Sequence, residues 1–156
     1  MLKLISSIGL LALLCGCAGS AAVVEPQQTR PLDGRQGRMY FTRATGLVGS
    51  LAAAEIRVDG TSVGRVDGDT HLVVDRPAGR HTISVYFIGL LATNVQHEAV
   101  VQIQAGTSTY FEVRQAETNT RATGRPVAGT APNLFMFYEL DPGTGAAAVA
   151  RTKAGG

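Results

Sequence analysis

One stretch of the chain, residues 55–87, constrains the fold more than any other. Its short runs alternate apolar and polar residues, and each run ends at a turn that contains glycine. A period of two places alternate side chains on opposite faces of a β-strand, and glycine turns are typical of the connections between antiparallel strands. Asp59-Gly60 is the strongest hairpin signal, because both residue types tolerate positive φ. The stretch therefore predicts a meander of short antiparallel strands.

Further alternating runs extend this pattern on both sides. The predicted strands are residues 38–43, 56–58, 62–66, 71–75, 80–87, 97–104, 107–114 and 134–140. The polar segment 115–133 contains Gly and Pro and is predicted to be a loop. No long stretch has the 3.6-residue period of an amphipathic helix. We therefore expect an all-β fold, a small antiparallel β-sandwich or barrel of about eight short strands.

The N-terminus has the order of features found in a lipoprotein signal. An apolar run over residues 4–14 is too short to span a bilayer. It leads into Leu-Cys-Gly-Cys at residues 14–17, which resembles the bacterial lipobox, where the cysteine after the cleavage site is acylated. Cys17 is the better acceptor, because Cys15 would have the bulky Leu14 at the position where the peptidase requires a small residue. Cleavage before Cys17 would leave no free thiol in the mature chain.

This assignment divides the chain into four regions. They are a signal peptide (1–16), a lipidated flexible tether (17–37), a β-domain (38–140) and an Ala/Gly-rich C-terminal tail (141–156). In the tail, Gly143 and Gly145 disfavour a strong helix, although residues 146–153 could form a short one. Ala18 is not the Asp that retains lipoproteins at the inner membrane of Gram-negative cells. We therefore expect the lipid on Cys17 to anchor the protein to the outer membrane, with the domain facing the periplasm.

Residues 54–85 also carry a recognisable pattern of turns and core positions. The matching residues are Ile56-x-Val58-Asp59-Gly60, Val63-Gly64, Leu72 and Pro77-x-Gly79-x-His81-x-x-x-Val85. The pattern resembles the PEGA-type domain, and more closely the PEGA-like domain of unknown function found in bacterial lipoproteins. The resemblance implies the β-fold and brings with it no enzymatic activity.

Three histidines are the main candidates for chemistry: His71, His81 and His97. They begin different strands and form no H-x-H or H-x-x-x-H pair, so their spacing predicts no metal site. His81 is expected to be partly buried at a turn and to donate to a backbone carbonyl. The aspartate-containing turns lack the closing Glu of a calcium loop, and no nucleophile elbow or phosphate loop is present. The sequence therefore predicts no catalytic residue, cofactor or metal.

Two segments between predicted strands are apolar, although loops normally face water. One contains Leu47, Val48 and Leu51, and the other contains Ile88, Leu90 and Leu91. We expect both segments to plug an open end of the sandwich, because a small core needs every apolar residue. The alternative is an apolar patch for a partner or for the membrane.

Charge and pattern together favour a binding or structural role. The net charge is +2 and the basic residues are scattered singly, so nucleic-acid binding is not expected. We expect an envelope lipoprotein whose tethered β-domain is a non-enzymatic module for another envelope protein or glycan. The alternative is a periplasmic hydrolase or metal-dependent activity that uses His71, His81 or His97.

Overall fold

The computed structural model describes residues 29–43, 53–89, 92–115, 124–129 and 135–155. In these ranges the chain forms β1 (Gln36–Arg43), β2 (Ala53–Val58), β3 (Thr61–Val66), β4 (Thr70–Pro77), β5 (Gly79–Gly89), β6 (Ala92–Ile103), β7 (Ser108–Gln115), β8 (Arg125–Pro126), β9 (Phe135–Leu140), α1 (Pro142–Arg151) and β10 (Lys153–Ala154). One sheet has six strands in the order β10-β4-β1-β7-β9-β8, and the other has four in the order β3-β2-β5-β6. The predicted all-β sandwich is confirmed. The strand number exceeds the expected eight because β8 and β10 have only two residues each.

The core lies between the sheets and is supplied by the inward side of each alternating strand. Met39 and Phe41 of β1 have no exposed surface. The Phe41 ring stacks on Phe111 with 5.4 Å between centroids and lies 5.9 Å from Phe137. Each buried Phe stabilises the fold by roughly 1.5–3 kcal/mol. The smaller sheet covers this cluster with Ile56, Val58, Ile83 and Val85.

The predicted hairpin at Asp59-Gly60 is confirmed in detail. Val58 and Thr61 pair across a two-residue loop in which φ is 52° at Asp59 and 77° at Gly60. Positive φ at both central residues is the requirement of a type I′ turn, whose twist matches that of the flanking strands.

The prediction of one antiparallel meander is wrong for the other turns of residues 55–87. The connections from β3 to β4 and from β4 to β5 cross between the sheets, so they join strands that are not neighbours. The larger sheet also contains parallel neighbours, because β1 lies beside β7 in parallel and β10 lies beside β4 in parallel. A glycine turn sets a change of direction but does not say whether the next strand stays in the same sheet.

Two predicted loops contain strand residues. Ile88 and Gly89 belong to β5, and Ala92 begins β6, so the segment predicted as an apolar loop is shorter than expected. Within the polar segment 115–133, β8 pairs with β9 and Gly129 bridges to β6. Both cases show strand pairing overriding local composition.

The C-terminal segment differs most from expectation, because Pro142–Arg151 is a helix that begins before both glycines. The Asp141 carboxylate caps it by accepting from the Thr144 amide at 3.0 Å, a contact that stabilises a helix by about 1 kcal/mol. Gly145 is buried against Tyr110, where a Cβ would lie 2.2 Å from the ring Cγ. The glycine that lowers helix propensity thus allows the helix to contact the sheet, and residues 142–154 belong to the folded domain.

Within the described ranges, no helix combines the length and the apolar character needed to cross a membrane.

Candidate functional site

His81 has a structural role that involves both of its ring nitrogens. Nε2 lies 2.8 Å from the Pro77 carbonyl oxygen, which confirms the predicted donation to the backbone, and Nδ1 lies 2.7 Å from Asp59 Oδ2. Burial lowers the pKa of His81, but the bonds to Asp59 and Pro77 outweigh it, so the pKa is raised above its usual 6.5. Since both partners accept hydrogen bonds, the site favours the imidazolium form.

His71 lies on the outer side of the larger sheet, under the end of α1. Its Nδ1 is 2.9 Å from the Thr152 hydroxyl, which itself donates to the Val149 carbonyl at 2.9 Å. The side chain is buried, and this burial lowers the pKa of His71 despite the contact to Thr152. The ring is therefore neutral, and its contact with Thr152 connects β4 to the end of α1.

His97 belongs to the core side of the smaller sheet. It is 1 % exposed, and its Nδ1 accepts a long bond of 3.4 Å from the Phe137 amide. Burial lowers the pKa of His97, so the ring is neutral. Its ring centroid lies 5.8 Å from that of Phe137, which joins the two sheets near one edge.

The three histidines are therefore held on different elements by different partners. Among the described residues there is no group of three or more His, Cys, Asp or Glu side chains able to hold a metal ion. Each ring contributes to packing or to a joint between strands, and none of them lines the cleft between β6 and β8.

The other predicted sites fall outside the described residues. Cys17, the proposed lipidation site, is one of them. The apolar residues Leu47, Val48, Leu51, Leu90 and Leu91 also lie outside, and of Ile88 only the strand assignment is described. The strands that flank the two apolar segments meet, because Ala53 pairs directly with Ile88. The described ends of β2 and β5 therefore lie side by side, and whether the two apolar segments act as plug or patch stays a prediction.

A fork between the two sheets is a feature that was not predicted from the sequence. Residues 125–129 run from the edge of the larger sheet, where β8 pairs with β9, to the edge of the smaller sheet. There Gly129 makes an isolated antiparallel bridge to Ala99 of β6. A Cβ at position 129 would lie 2.0 Å from the Glu98 carbonyl oxygen, so the approach requires glycine. Beyond this bridge β6 and β8 diverge, and the space between them is what we call the fork.

The fork encloses a cleft of about 440 Å³. Its apolar floor is formed by the partly buried Val101 and Val127 and by the buried Phe111. Arg125 and Glu139 pair with each other at the rim, where their side chains are 79 % and 36 % exposed.

Val100, on the neighbouring outer face, is 51 % exposed and is the large apolar residue that stands out on the described surface. The remaining lining residues are Gln102, Gln104, Thr109, Pro126 and Ala128.

Two further clefts, of about 420 and 350 Å³, lie at the ends of α1. The one at the helix C-terminus is lined by Asp69, Glu112, Arg151 and Lys153 together with small residues. Charges of both signs line it, without the apolar floor that usually carries binding energy in a ligand site. The fork has such a floor and a strand edge beside it, so it is the better candidate.

Contacts within the chain occupy part of the outer face of each sheet. On the larger sheet, α1 packs over the stacked rings of Tyr40 and Tyr110, whose centroids are 5.0 Å apart. On the smaller sheet, the Arg57 guanidinium lies 4.1 Å above the Tyr86 ring centroid and its Nε donates to Glu55 at 2.8 Å.

One weak signal for the fork was present in the sequence. In residues 98–102, Val100 occupies the polar position of an otherwise alternating strand. An apolar residue on both faces indicates an additional contact surface, but the partner strand β8 is too short to be recognised from a period of two.

Comparisons with protein-family models, with curated proteins and with solved structures gave no match. The resemblance to the PEGA-like domain therefore stays a prediction.

Proposed function

We propose that the protein is an outer-membrane lipoprotein, anchored through Cys17, whose β-domain is a non-enzymatic module that binds another component of the cell envelope. The fork beside β6 is the observation that carries this proposal. It combines an apolar floor, a polar rim and a strand edge in one cleft.

The position of the tether is compatible with such a role. The Arg30 carbonyl accepts a bond of 3.0 Å from Arg38, whose guanidinium also makes bonds of 2.7 and 2.9 Å to the Asp75 carboxylate. The N-terminal segment thus joins the domain beside β1 and β4, whereas the fork lies beyond β7 and β9 in the same sheet. Residues 18–28 allow at most about 40 Å of extended reach from the lipid.

The residues of the fork support binding more than catalysis. Arg125 and Glu139 are the charged groups among its described lining residues, and they neutralise each other. A hydrolase needs a nucleophile or general base positioned in its cleft. His71, His81 and His97 are not among the described lining residues of the fork, so the fork does not favour the alternative of a histidine-dependent enzyme.

Photo-cross-linking in intact cells tests the proposal. A photoreactive residue at the fork position Gln102 is expected to give a discrete adduct with an envelope component. The same residue at Thr61, exposed on the edge strand β3 of the same sheet, is the matched control and is expected to give none. Absence of an adduct from Gln102, or the same adduct from both positions, would contradict the proposal.

A further inference from the structure

The fork also indicates which kind of partner it fits, if the proposed binding function holds. We propose that the fork binds an extended peptide segment of a partner protein, which adds as a strand to the part of the β6 edge that lines the cleft. This goes beyond the proposed function, which leaves open whether the partner is a protein or a glycan.

The backbone at the fork is only partly paired in the described part of the chain. Among the described residues, β6 pairs with β5 along one side, and on its other side only Ala99 is bridged, by Gly129. Continuing that antiparallel register would place residues 125–128 opposite residues 103–100. They turn away because β8 pairs with β9 instead. In the part of the chain that the structure describes, about 13 Å of the β6 edge therefore faces the cleft rather than a strand.

A strand edge requires a particular kind of partner. Its N–H and C=O groups recur at strand spacing and need hydrogen-bond partners at the same spacing. A second polypeptide backbone supplies both donors and acceptors at that spacing, and peptide recognition by strand addition depends on this match. Gly129 shows that a backbone already approaches this edge in the antiparallel direction.

The side chains around the fork determine what the peptide would present. Because side chains alternate along a strand, every second one would face the floor of Val101, Phe111 and Val127. Aliphatic side chains of moderate size fit a cleft of about 440 Å³. Gln102 and Gln104 are neutral and the Arg125–Glu139 pair is balanced, so the site favours an uncharged segment.

A second copy of this chain is the less suitable occupant. Two β6 strands paired about a twofold axis would meet along their edges, and residues 125–129 cross that edge at Ala99. A short peptide enters the fork without displacing this crossing.

Selection of peptides on the purified full-length protein in detergent tests the inference. The probe is a displayed library of random peptides of about six to ten residues, the usual length of a strand. We expect enrichment of uncharged sequences with alternating aliphatic residues. Ala128→Trp should weaken the selected peptides at least about tenfold, because the indole fills the cleft from an exposed position. Thr61→Trp, on the opposite edge of the same sheet, should change affinity less than about twofold.

Amide hydrogen exchange provides the second readout. A selected peptide should slow the exchange of amides in residues 100–103 while leaving those of β3 unchanged. Failure to enrich any peptide, equal binding by Ala128→Trp, or protection elsewhere would overturn the inference. Two other results would also overturn it: Ala128→Trp-sensitive binding of purified peptidoglycan fragments, or a dimer that this variant abolishes. If Gln102 nevertheless forms its adduct in cells, the binding function stands and only the peptide assignment fails.

Discussion

Asp59 and His81 show how individual residues of a turn pattern hold separate strands together. Asp59 forms the β2–β3 turn, its Oδ1 accepts from the Thr82 amide at 3.0 Å, and its Oδ2 contacts His81. His81 in turn contacts the carbonyl of Pro77 at the end of β4. The pattern D-G followed by P-x-G-x-H therefore connects two turns that lie on different sides of a crossing between sheets. Sequence alone predicted the contact to a carbonyl but not the contact to Asp59, because that contact depends on the pairing of β2 with β5.

The contact of His81 with Asp59 predicts a pH dependence of stability. The folded pKa of His81 is raised, so its contribution is complete below the unfolded pKa of about 6.5 and is lost as pH rises through the folded value. The folded pKa of Asp59 is lowered, chiefly by the hydrogen bond from His81, so its contribution is lost in acid. The loss of melting temperature caused by His81→Asn should therefore be larger near pH 6 than near pH 9. An equal loss at both pH values would contradict the charged pair.

His97 should respond in the opposite direction. Burial lowers its folded pKa, so the neutral ring stabilises the fold above about pH 6.5 and this contribution decreases as pH falls. His97 therefore serves as the internal comparison for His81, and melting curves of His97→Gln measure its contribution to stability. This variant should lower the melting temperature more near pH 8 than near pH 5. The same trend as for His81 would show that both effects come from the charge of the whole protein.

Cys17 is the residue on which the proposed location depends. Cys17→Ser should abolish incorporation of a fatty-acid analogue, because the acylated thiol is lost, whereas Cys15→Ser should leave incorporation intact. Labelling in cells followed by gel fluorography measures both. Persistent labelling of the Cys17→Ser protein would show that the anchor is elsewhere.

Among the elements, α1 shows why the sequence pattern was insufficient. Helix propensity treats Gly143 and Gly145 alike, because each lowers helix stability by about 1 kcal/mol relative to Ala. The structure distinguishes them, since Gly145 is buried on Tyr110 and Gly143 is exposed. The strands were predictable because alternation is a local property. The helix was not, because the contact with β7 that accommodates Gly145 is distant in sequence.

The two glycines provide a matched pair of variants. Gly143→Ala should raise the free energy of unfolding by up to about 1 kcal/mol, because the new Cβ would lie 3.4 Å from the nearest atom, Asp141 Oδ1. Gly145→Ala should instead destabilise by about 1–3 kcal/mol, because its Cβ would overlap the Tyr110 ring. Denaturant unfolding of the purified full-length chain measures both. Stabilisation by both alanines would mean that α1 does not pack on Tyr110.

At the scale of the whole molecule, the topology determines where the candidate site lies. The crossings between sheets leave β6 as a twelve-residue edge strand. The two-residue β8 forms the facing edge of the larger sheet, too short to cover it. No local sequence pattern reveals this arrangement of edges, because β7 and its flanking residues separate β6 from β8 in the sequence. The histidines were the main candidates for chemistry in the sequence because imidazole is versatile, yet the fold uses all three for packing or for joints between strands.

Hydrogen exchange of the anchored protein tests the central claim most directly. Exchange is compared between the protein in isolated outer-membrane vesicles and the purified full-length protein in detergent, by mass spectrometry of peptides that cover β6 and β3. A binding module that uses the fork should show slower exchange at residues 100–103 in the vesicles, because a partner occupies that edge, with no change in β3. Identical exchange of the β6 edge in both samples would contradict the account.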